Sequence, residues 1–382
     1  MLVDMNNHQQ HDGQSPDASG ENGQNGRIFE FTFDCSSTIK SEGTGSFLLE
    51  PDPATMSASS VGEASSAASS VDWCGDRNDS SSLSDSVQTF PEEFGRTYHA
   101  YRAGSYAFPN DTPEQERLEF MGECYKTLMN DRLYMAPLSA KNPPRNILDI
   151  ATGVGDWAIQ MGDLFPESMV IGTDLSPIQP AEVPPNVQFY VEDSTDEWTF
   201  SQKFDYIHTR ATAGCWSAFE TQIAEQAFNA LEPGGWFESQ EMDCTPLCDD
   251  NTLDRQGPVV AWSNDLIMAS DKLQRPAILG ANLKEIYERV GFVDVQQRIL
   301  KMPINGWAKD LRLKEVGWMW VRNMLDGLSG FSYQLLNKAF GRTSAQIEIS
   351  LIDVRRDLIN PRIHAYMPVF VVWGRKPKPN EV

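Results

Sequence analysis

From Asn146 onward, short apolar runs that end in polar or acidic residues alternate with stretches of helical length. The runs "RNILDI" and "SMVIGTD" flank the piece "DWAIQMGDLFP", and "NVQFYVED", "FDYIHTR" and "WFESQEMD" follow as further runs of strand length. Runs of this length, separated by longer segments with turn residues at their ends, predict β-strands in βαβ units. Because such units have parallel strands and right-handed crossovers, the pattern predicts a doubly wound α/β sheet.

The pattern continues less regularly toward the C-terminus. Residues 217–235 place apolar side chains on one helical face and stop at Pro-Gly-Gly, "LGANLKEIYERVGF" is a predicted helix, and "VDVQQRILKMPI" and "HAYMPVFVVWGRK" are predicted strands. These elements predict a mostly parallel sheet of roughly seven strands. We assign residues 146–377 to this domain, with helical elaborations as insertions at 243–277 and 305–360, and 91–145 to N-terminal cap helices.

Residues 1–90 differ in composition from the rest of the chain. They are rich in Ser, Gly, Asn and Asp, and acids far outnumber the basic residues Arg27, Lys40 and Arg77. Such a segment buries too little apolar surface to fold, which predicts a disordered acidic tail. The N-terminus has no basic region followed by an apolar core, so no signal peptide is predicted and we expect an intracellular protein.

The formal net charge of the chain is -23. Nucleic acids and anionic membranes are bound through a basic face, so we expect neither as a direct partner. No apolar run is long enough to span a bilayer. The charge favours a cationic small ligand or a basic protein partner.

The stretch "NILDIATGVGDW" contains Gly153-x-Gly155-x-x-Ala158, the letters of a dinucleotide fingerprint. In a dinucleotide site the pyrophosphate lies at the helix N-terminus, where Asp156 stands here and would compete for the same amides. Asp149, at the end of the strand, adds a second negative charge. S-adenosylmethionine carries a sulfonium, an ammonium and no phosphate, so these acids favour it. A nicotinamide-dependent oxidoreductase is the alternative that the fingerprint alone supports.

Two further predicted strands also end in acids. Asp174 follows the glycines by about 20 residues, the place of an acid that accepts hydrogen bonds from ribose hydroxyls. Asp193 ends the third strand, where a carboxylate can accept from the exocyclic amine of adenine. Three successive strands that each end in an acid form a more specific pattern than the glycines.

These motifs resemble, in order and spacing, those of class I S-adenosylmethionine-dependent methyltransferases. "IGTDLSPIQP", "GRTYHAYRAGSYAFPNDTPEQERLE", "CDDNTLD" and "IHAYMPVFVVWGRKP" are similar, more narrowly, to the fungal LaeA-like methyltransferases, over about residues 95–377. The resemblance implies a class I, Rossmann-like fold and S-adenosyl-L-methionine as cofactor. It places the methionine part at the glycine loop, ribose at Asp174 and adenine at Asp193. The residues that we assign to the cofactor are Asp149, Ala151, Thr152, Gly153, Gly155, Asp174, Leu175, Asp193, Ser194 and Tyr101.

Ala151 is a departure from that family pattern, which usually has glycine at this position. The additional methyl group is expected to crowd the loop. Because alanine is small, we expect weakened rather than abolished cofactor binding.

The resemblance also implies a role in fungal secondary metabolism. One form of that role is a nuclear regulator of biosynthetic gene clusters that acts with velvet-type proteins, contacted through the acidic tail or the cap. The other is a member of one biosynthetic pathway, in the nucleus or the cytoplasm. A catalytically silent regulatory module that only binds the cofactor is the alternative, because no compelling general base stands in the sequence.

Several other side chains are candidates for roles near the cofactor. His208 ends the fourth strand and is a candidate for a general base, with a structural histidine as the alternative. Arg210 is expected to bind a substrate carboxylate or to pair with an acid. The resemblance implies that the segment with Tyr98, Tyr101 and Tyr106 folds back over the cofactor, where the tyrosines would form an aromatic lid over the sulfonium; packing against the sheet is the alternative.

Cys244 and Cys248 stand four residues apart, beside several aspartates. No second pair of Cys or His follows at a zinc-binding spacing, so no metal site is predicted.

Overall fold

A computed structural model of the chain describes residues 89–139 and 141–381. The predicted disordered tail lies outside the described residues, except for its last two positions. The described strands are β1 Glu92–Glu93, β2 Arg96–Thr97, β3 Asn146–Ile150, β4 Met169–Asp174, β5 Val187–Val191, β6 Phe204–Arg210, β7 Leu231–Met242, β8 Leu247–Cys248, β9 Val293–Pro303 and β10 Ala365–Arg375. The described α-helices are α1 Thr112–Leu128, α2 Asp156–Leu164, α3 Glu225–Ala230, α4 Pro258–Lys272, α5 Leu283–Val290, α6 Leu311–Phe340 and α7 Ser344–Leu358.

The main sheet has the strand order β5-β4-β3-β6-β7-β10, and both β8 and β9 pair with β10. Strands β3 to β7 are parallel, whereas β10 is antiparallel to its neighbours. The predicted doubly wound, mostly parallel sheet is therefore confirmed, with the two-residue β8 beside the seven longer strands. The strand order reverses at β3, between β4 and β6, and this is where an open α/β sheet forms its ligand crevice.

Apolar side chains cover both faces of the sheet. Ile147 and Leu148 are neighbours in β3, are both fully buried, and belong to two different hydrophobic cores. Helices α1, α2, α4, α6 and α7 contribute to the first core, and α3 and α5 contribute to the second. Burial on both faces explains why β3 is a nearly continuous apolar run. It also makes Asp149, which interrupts that run, conspicuous.

The predicted cap, 91–145, contains the hairpin β1–β2 and one long helix, α1, rather than several helices. Asp111 begins α1 because its carboxylate accepts a hydrogen bond from the backbone N–H of Glu114, and Pro113 occupies the first turn. Asp111 also forms an ion pair with Arg96 of β2. One residue thus joins the hairpin to the helix.

The other predicted elaborations contain helices in the described structure. Segment 243–277 includes β8 and α4, and segment 305–360 includes α6 and α7. The helix predicted over 217–235 is shorter than expected: it consists of a π-helical turn, Glu220–Ala224, followed by α3. The chain enters β7 at Leu231, before the Pro-Gly-Gly sequence. No helix among the described residues is long and apolar enough to cross a membrane.

Candidate functional site

A cleft opens at the carboxyl ends of β3, β4, β5 and β6. Its walls include the three acids that end β3, β4 and the β5 segment, namely Asp149, Asp174 and Asp193, together with the glycine loop. Helix α1 and the chain between β2 and α1 form the opposite side. The structure therefore brings the sequence-predicted acids and loop into one place, because parallel strands present their carboxyl ends at the same edge of a sheet.

Asp149 is held by two short hydrogen bonds. Its Oδ2 accepts from the Thr152 hydroxyl at 2.6 Å, and its Oδ1 accepts from Nδ1 of His208 at 2.8 Å. The carboxylate is almost completely buried. Hydrogen bonds from fixed donors hold a buried carboxylate in one orientation. Asp149 is thus preorganised before any ligand arrives.

His208 is fully buried, and its ring stacks on Trp157 with centroids 3.7 Å apart and an interplanar angle of 6°. A carboxylate only accepts hydrogen bonds, so Nδ1 of His208 carries the proton that it donates to Asp149. Its Nε2 has no hydrogen-bond partner among the described residues. His208, the candidate base, is therefore a fully buried member of the cleft lining that contacts Asp149. The hydrogen bond from His208 thus holds Asp149 in position.

The loop after β3 contains three residues with left-handed backbone. Ala151, Gly153 and Gly155 have φ of 55°, 61° and 82°. A Cβ on Gly155 would lie 2.3 Å from the ring of Phe189, whereas one on Gly153 would meet only Leu118, at 3.8 Å. Gly155 is therefore required both by conformation and by space.

Ala151 has a measurable conformational cost at this position. A left-handed conformation costs an L-residue with a Cβ about 1–2 kcal/mol relative to the right-handed one. Glycine adopts it without that cost. The departure from the family pattern therefore acts through backbone strain.

Asp174 closes the glycine loop. Its carboxylate accepts hydrogen bonds from the backbone N–H groups of Gly153 and Ser176, each at 2.9 Å. Burial raises the pKa of Asp174 to about 6, and these two N–H donors offset part of that effect. Leu175 follows it and also lines the cleft.

Asp193 and Ser194 stand at the far end of the cleft. Asp193 Oδ1 accepts from the backbone N–H and the hydroxyl of Thr195, at 3.0 and 2.7 Å. Its Oδ2 lies 3.8 Å from Nε of Arg102. The Ser194 hydroxyl accepts from Nε1 of Trp216 at 2.8 Å. Both side chains are thus oriented by neighbours.

The three tyrosines of the predicted lid have different positions. Tyr98 is buried, whereas Tyr106 lines the cleft and meets Phe108 edge-to-face at 5.1 Å. Tyr101 lines a smaller neighbouring cavity that also includes Asp193. Arg102 joins this segment to the chain that follows β5 through an ion pair with Asp196 at 2.7 Å. Only Tyr106 of the three faces the main cleft.

Arg210, the last residue of β6, also lines the cleft and is half-buried. Its guanidinium lies 5.8 Å from the ring centroid of Tyr125 and has no hydrogen bond or ion pair with any described residue. The pairing with an acid that the sequence allowed is therefore not observed.

The structure adds residues that sequence patterns missed. His99 lines the cleft, and its Nε2 lies 3.2 Å from the carbonyl oxygen of Arg102, while its Nδ1 has no partner among the described residues. Burial lowers the pKa of His99. Glu114 of α1 forms a buried ion pair with Arg117 at 2.7 Å. The (i, i+3) spacing of Glu114 and Arg117 could have predicted this ion pair from the sequence. No local sequence pattern indicated that His99 lines the cleft.

Behind the cleft, Glu241 holds the chain that follows β6. It accepts hydrogen bonds from the backbone N–H and the hydroxyl of Thr212, at 2.7 and 2.6 Å. Burial raises the pKa of Glu241 to about 7.

The thiol of Cys248 donates a hydrogen bond to Asp250. The described residues contain no group of three or more potential ligands that could hold a metal ion.

Known proteins match this chain over most of its length. The family model described as "Methyltransferase domain" matches residues 122–297. The methyltransferase pytC of Aspergillus terreus is 37% identical over 297 residues, which cover 78% of this chain and 91% of that protein. The secondary metabolism regulator LAE1 of Cochliobolus heterostrophus is 32% identical over 75% of this chain and 94% of its own. The secondary metabolism regulator laeA of Aspergillus flavus is 32% identical over 78% of this chain and 80% of its own.

Proposed function

The chain belongs to the LaeA-like S-adenosylmethionine-dependent methyltransferases of fungal secondary metabolism, and we propose that the acids of its cleft hold the cofactor. Asp149 accepts from the ammonium of the methionine part, Asp174 from the ribose hydroxyls and Asp193 from the adenine amine. The other residues of this proposed site are Ala151, Thr152, Gly153, Leu175 and Ser194, which line the cleft, Gly155 of the same loop, and Tyr101, which lines the neighbouring cavity.

The charge of the cleft is the observation that carries this proposal. Its lining contains six carboxylates and only two guanidinium groups. Such a lining repels a pyrophosphate and attracts a ligand that carries a sulfonium and an ammonium. Asp156 stands at the N-terminus of α2, which removes the usual place for a phosphate. The residues present therefore fit S-adenosylmethionine and not a dinucleotide.

When bound, S-adenosylmethionine supplies an activated methyl group on its sulfonium. The chain's own residues then act by positioning, because holding a nucleophile close and aligned removes much of the barrier to a displacement. Thr152 and His208 keep Asp149 in one orientation. The segment with Tyr106 and Phe108 lines the cleft on the side opposite the strand ends.

Titration calorimetry of the full chain tests the site. We expect S-adenosylhomocysteine to bind and NAD to give no heat of binding. Asp193→Asn is expected to weaken S-adenosylhomocysteine, and Asp265→Asn, a substitution in α4, serves as the matched control. Binding of NAD without a response to S-adenosylhomocysteine would overturn the proposal.

Two biological roles each have an observation in their favour. The 37% identity to pytC, which is named as a methyltransferase and not as a regulator, favours a member of one pathway, and the matches to LAE1 and laeA favour a regulator. A strain carrying Gly155→Val is compared with a deletion strain in its metabolites and transcripts. Loss of one compound supports the pathway role, and loss of transcripts from many gene clusters supports the regulatory role. Unchanged metabolites and transcripts in the variant, with a defect in the deletion strain, would show that the role needs no bound cofactor and would overturn both catalytic roles.

For the regulatory role we propose velvet-type partners and a nuclear location. The support is the acidic tail, 1–90, within a chain of net charge -23, which suits a basic partner surface. Co-purification of velvet-type proteins with the full chain, reduced when residues 1–90 are removed, is the expected result. Equal recovery of velvet-type proteins without the tail would indicate that they contact the cap, 91–145, instead.

A further inference from the structure

Arg210 is the unusual side chain of the cleft. It is half-buried, and its hydrogen-bond donors have no acceptor among the described residues. An arginine side chain has five N–H donors in a planar fork and stays charged in proteins. The Arg210 nitrogens are not among the buried polar atoms that lack a partner, so these donors stay accessible from the cleft. In a chain with 54 acidic residues, the lack of a pairing acid therefore needs an explanation.

Other half-buried or buried arginines of the described chain show what is usual here. Arg96 pairs with Asp111, and Arg117 pairs with Glu114. Arg312 donates to the carbonyl oxygen of Leu128 at 2.8 Å, and Arg275, the other arginine of the cleft, donates to that of Cys215. Each of these four guanidinium groups has an acceptor within the protein. Arg210 differs from them in facing the cleft with its donors free.

Asp156, the acid beside Arg210, forms its hydrogen bonds with Gln160 instead of Arg210. Both oxygens of Asp156 accept from Nε2 of Gln160 at 2.9 Å, and Gln160 in turn accepts from Lys126. A Cβ on Gly122 of α1 would lie 2.8 Å from Oδ2 of Asp156 and 3.2 Å from a terminal nitrogen of Arg210. Because Gly122 has no side chain, α1 packs against the Asp156 carboxylate and the Arg210 guanidinium without a steric clash. The guanidinium keeps its place beside the cleft.

The strand order places Arg210 at a definite end of the cleft. Along β5, β4, β3 and β6, the end residues of the site are Asp193, Asp174, Asp149 and Arg210 in that order. In the proposed site these acids hold adenine, ribose and the methionine ammonium in turn. Arg210 therefore follows the methionine part, where the reacting methyl group and the acceptor meet.

We infer that Arg210 binds a carboxylate at this end of the cleft, an inference that rests on the proposed function. A carboxylate matches the planar fork of arginine with two parallel hydrogen bonds. Two ligands can supply it: the methyl acceptor, or the amino-acid part of the cofactor. In either case Arg210 orients the group beside the methyl-transfer position.

The experiment measures binding to the full chain by titration calorimetry, with Arg210→Gln and Arg210→Lys. Arg298→Gln, on the exposed face of β9, removes the same charge away from the cleft and is the matched control. The first arm compares S-adenosylhomocysteine with 5′-methylthioadenosine, which lacks the carboxylate. If the cofactor supplies the carboxylate, Arg210→Gln weakens the binding of S-adenosylhomocysteine about tenfold, or 1.4 kcal/mol, and leaves the affinity for 5′-methylthioadenosine unchanged.

The second arm uses protein saturated with S-adenosylhomocysteine. It compares phenylacetate with neutral phenylacetamide, since aromatic side chains wall the cleft. If the acceptor supplies the carboxylate, wild-type protein binds the acid in preference to the amide, and Arg210→Gln loses this preference while Arg210→Lys keeps part of it. Wild-type behaviour of Arg210→Gln in both arms would overturn the inference. A wild-type chain that binds no S-adenosylhomocysteine would overturn the proposed function instead.

Discussion

The two sides of the cleft differ in how their charged groups are held. At the end of β3, both oxygens of Asp149 have fixed partners within the protein, and the ring of its partner His208 is stacked on Trp157. At the end of the adjacent strand β6, Arg210 has no polar partner among the described residues. In the proposed site, the Asp149 side is preorganised for the cofactor, whereas the Arg210 side has donors available for a carboxylate ligand. A methyltransferase needs this division, because its cofactor is constant and its acceptor is specific to the protein.

Gly155→Val is expected to damage the preorganised side most. The new Cβ would lie 2.3 Å from the ring of Phe189, and φ at this position is 82°. Overpacking and left-handed backbone together are expected to cost about 3 kcal/mol or more of the free energy of unfolding and to abolish binding of S-adenosylhomocysteine. Chemical denaturation and calorimetry check this.

Gly341→Val is the control for the backbone alone, since φ is 68° there and nothing lies within 4 Å of its Cβ position. An equal loss of stability in the two variants would contradict the steric role of Phe189.

A pair of substitutions at His208 separates positioning from packing. Phenylalanine keeps the ring on Trp157 but leaves Asp149 without a donor, whereas asparagine offers an N–H near the position of Nδ1. We expect His208→Phe to weaken S-adenosylhomocysteine about tenfold, because removing one donor from a buried carboxylate costs about 1–3 kcal/mol. His208→Asn is expected to recover part of the affinity. The opposite order of the two affinities, measured by calorimetry, would argue against a role through Asp149.

The pH dependence of binding tests the acid that closes the glycine loop. Burial raises the pKa of Asp174 to about 6. Ribose hydroxyls donate to the ionised form, so bound ligand favours ionisation and lowers this pKa. Binding of S-adenosylhomocysteine is therefore expected to weaken as the pH falls through 6, by up to about tenfold per unit. Asp174→Asn should bind weakly with a flatter profile, and an unchanged slope between pH 5 and 7 would assign the dependence to another group.

Ala151→Gly is expected to give the smallest effect, and a favourable one. Glycine removes the strain at φ 55°, but it also gives the unfolded chain more freedom. The net gain in the free energy of unfolding is expected to be about 0.5–1 kcal/mol, with a few-fold tighter binding of S-adenosylhomocysteine. Chemical denaturation of the two proteins measures the change in the free energy of unfolding, and calorimetry measures the change in affinity. A loss of affinity would show that the methyl group contributes a contact.

The sequence predicted the features that depend on neighbours along the chain. Strand lengths, the acids at strand ends and the glycine loop are all local patterns, and their meeting at one edge follows from parallel pairing alone. The contact of His208 with Asp149 was beyond reach because the two residues are 59 positions apart and meet through the register of β3 with β6. The cap was also misjudged in part, since hairpin β1–β2 is held by Arg96 and Asp111 across 15 residues.

The sequence by itself determined the sheet, the position of the cleft and the sign of its charge. These follow from hydrophobic periodicity and from the order of short motifs, which act over a few residues. The tertiary structure alone decided which polar groups are bonded and which are free: Asp149 and Asp156 have partners, and the Arg210 guanidinium has none among the described residues. The physical reason is that a hydrogen bond depends on distances of about 3 Å between atoms of different elements, which only packing sets.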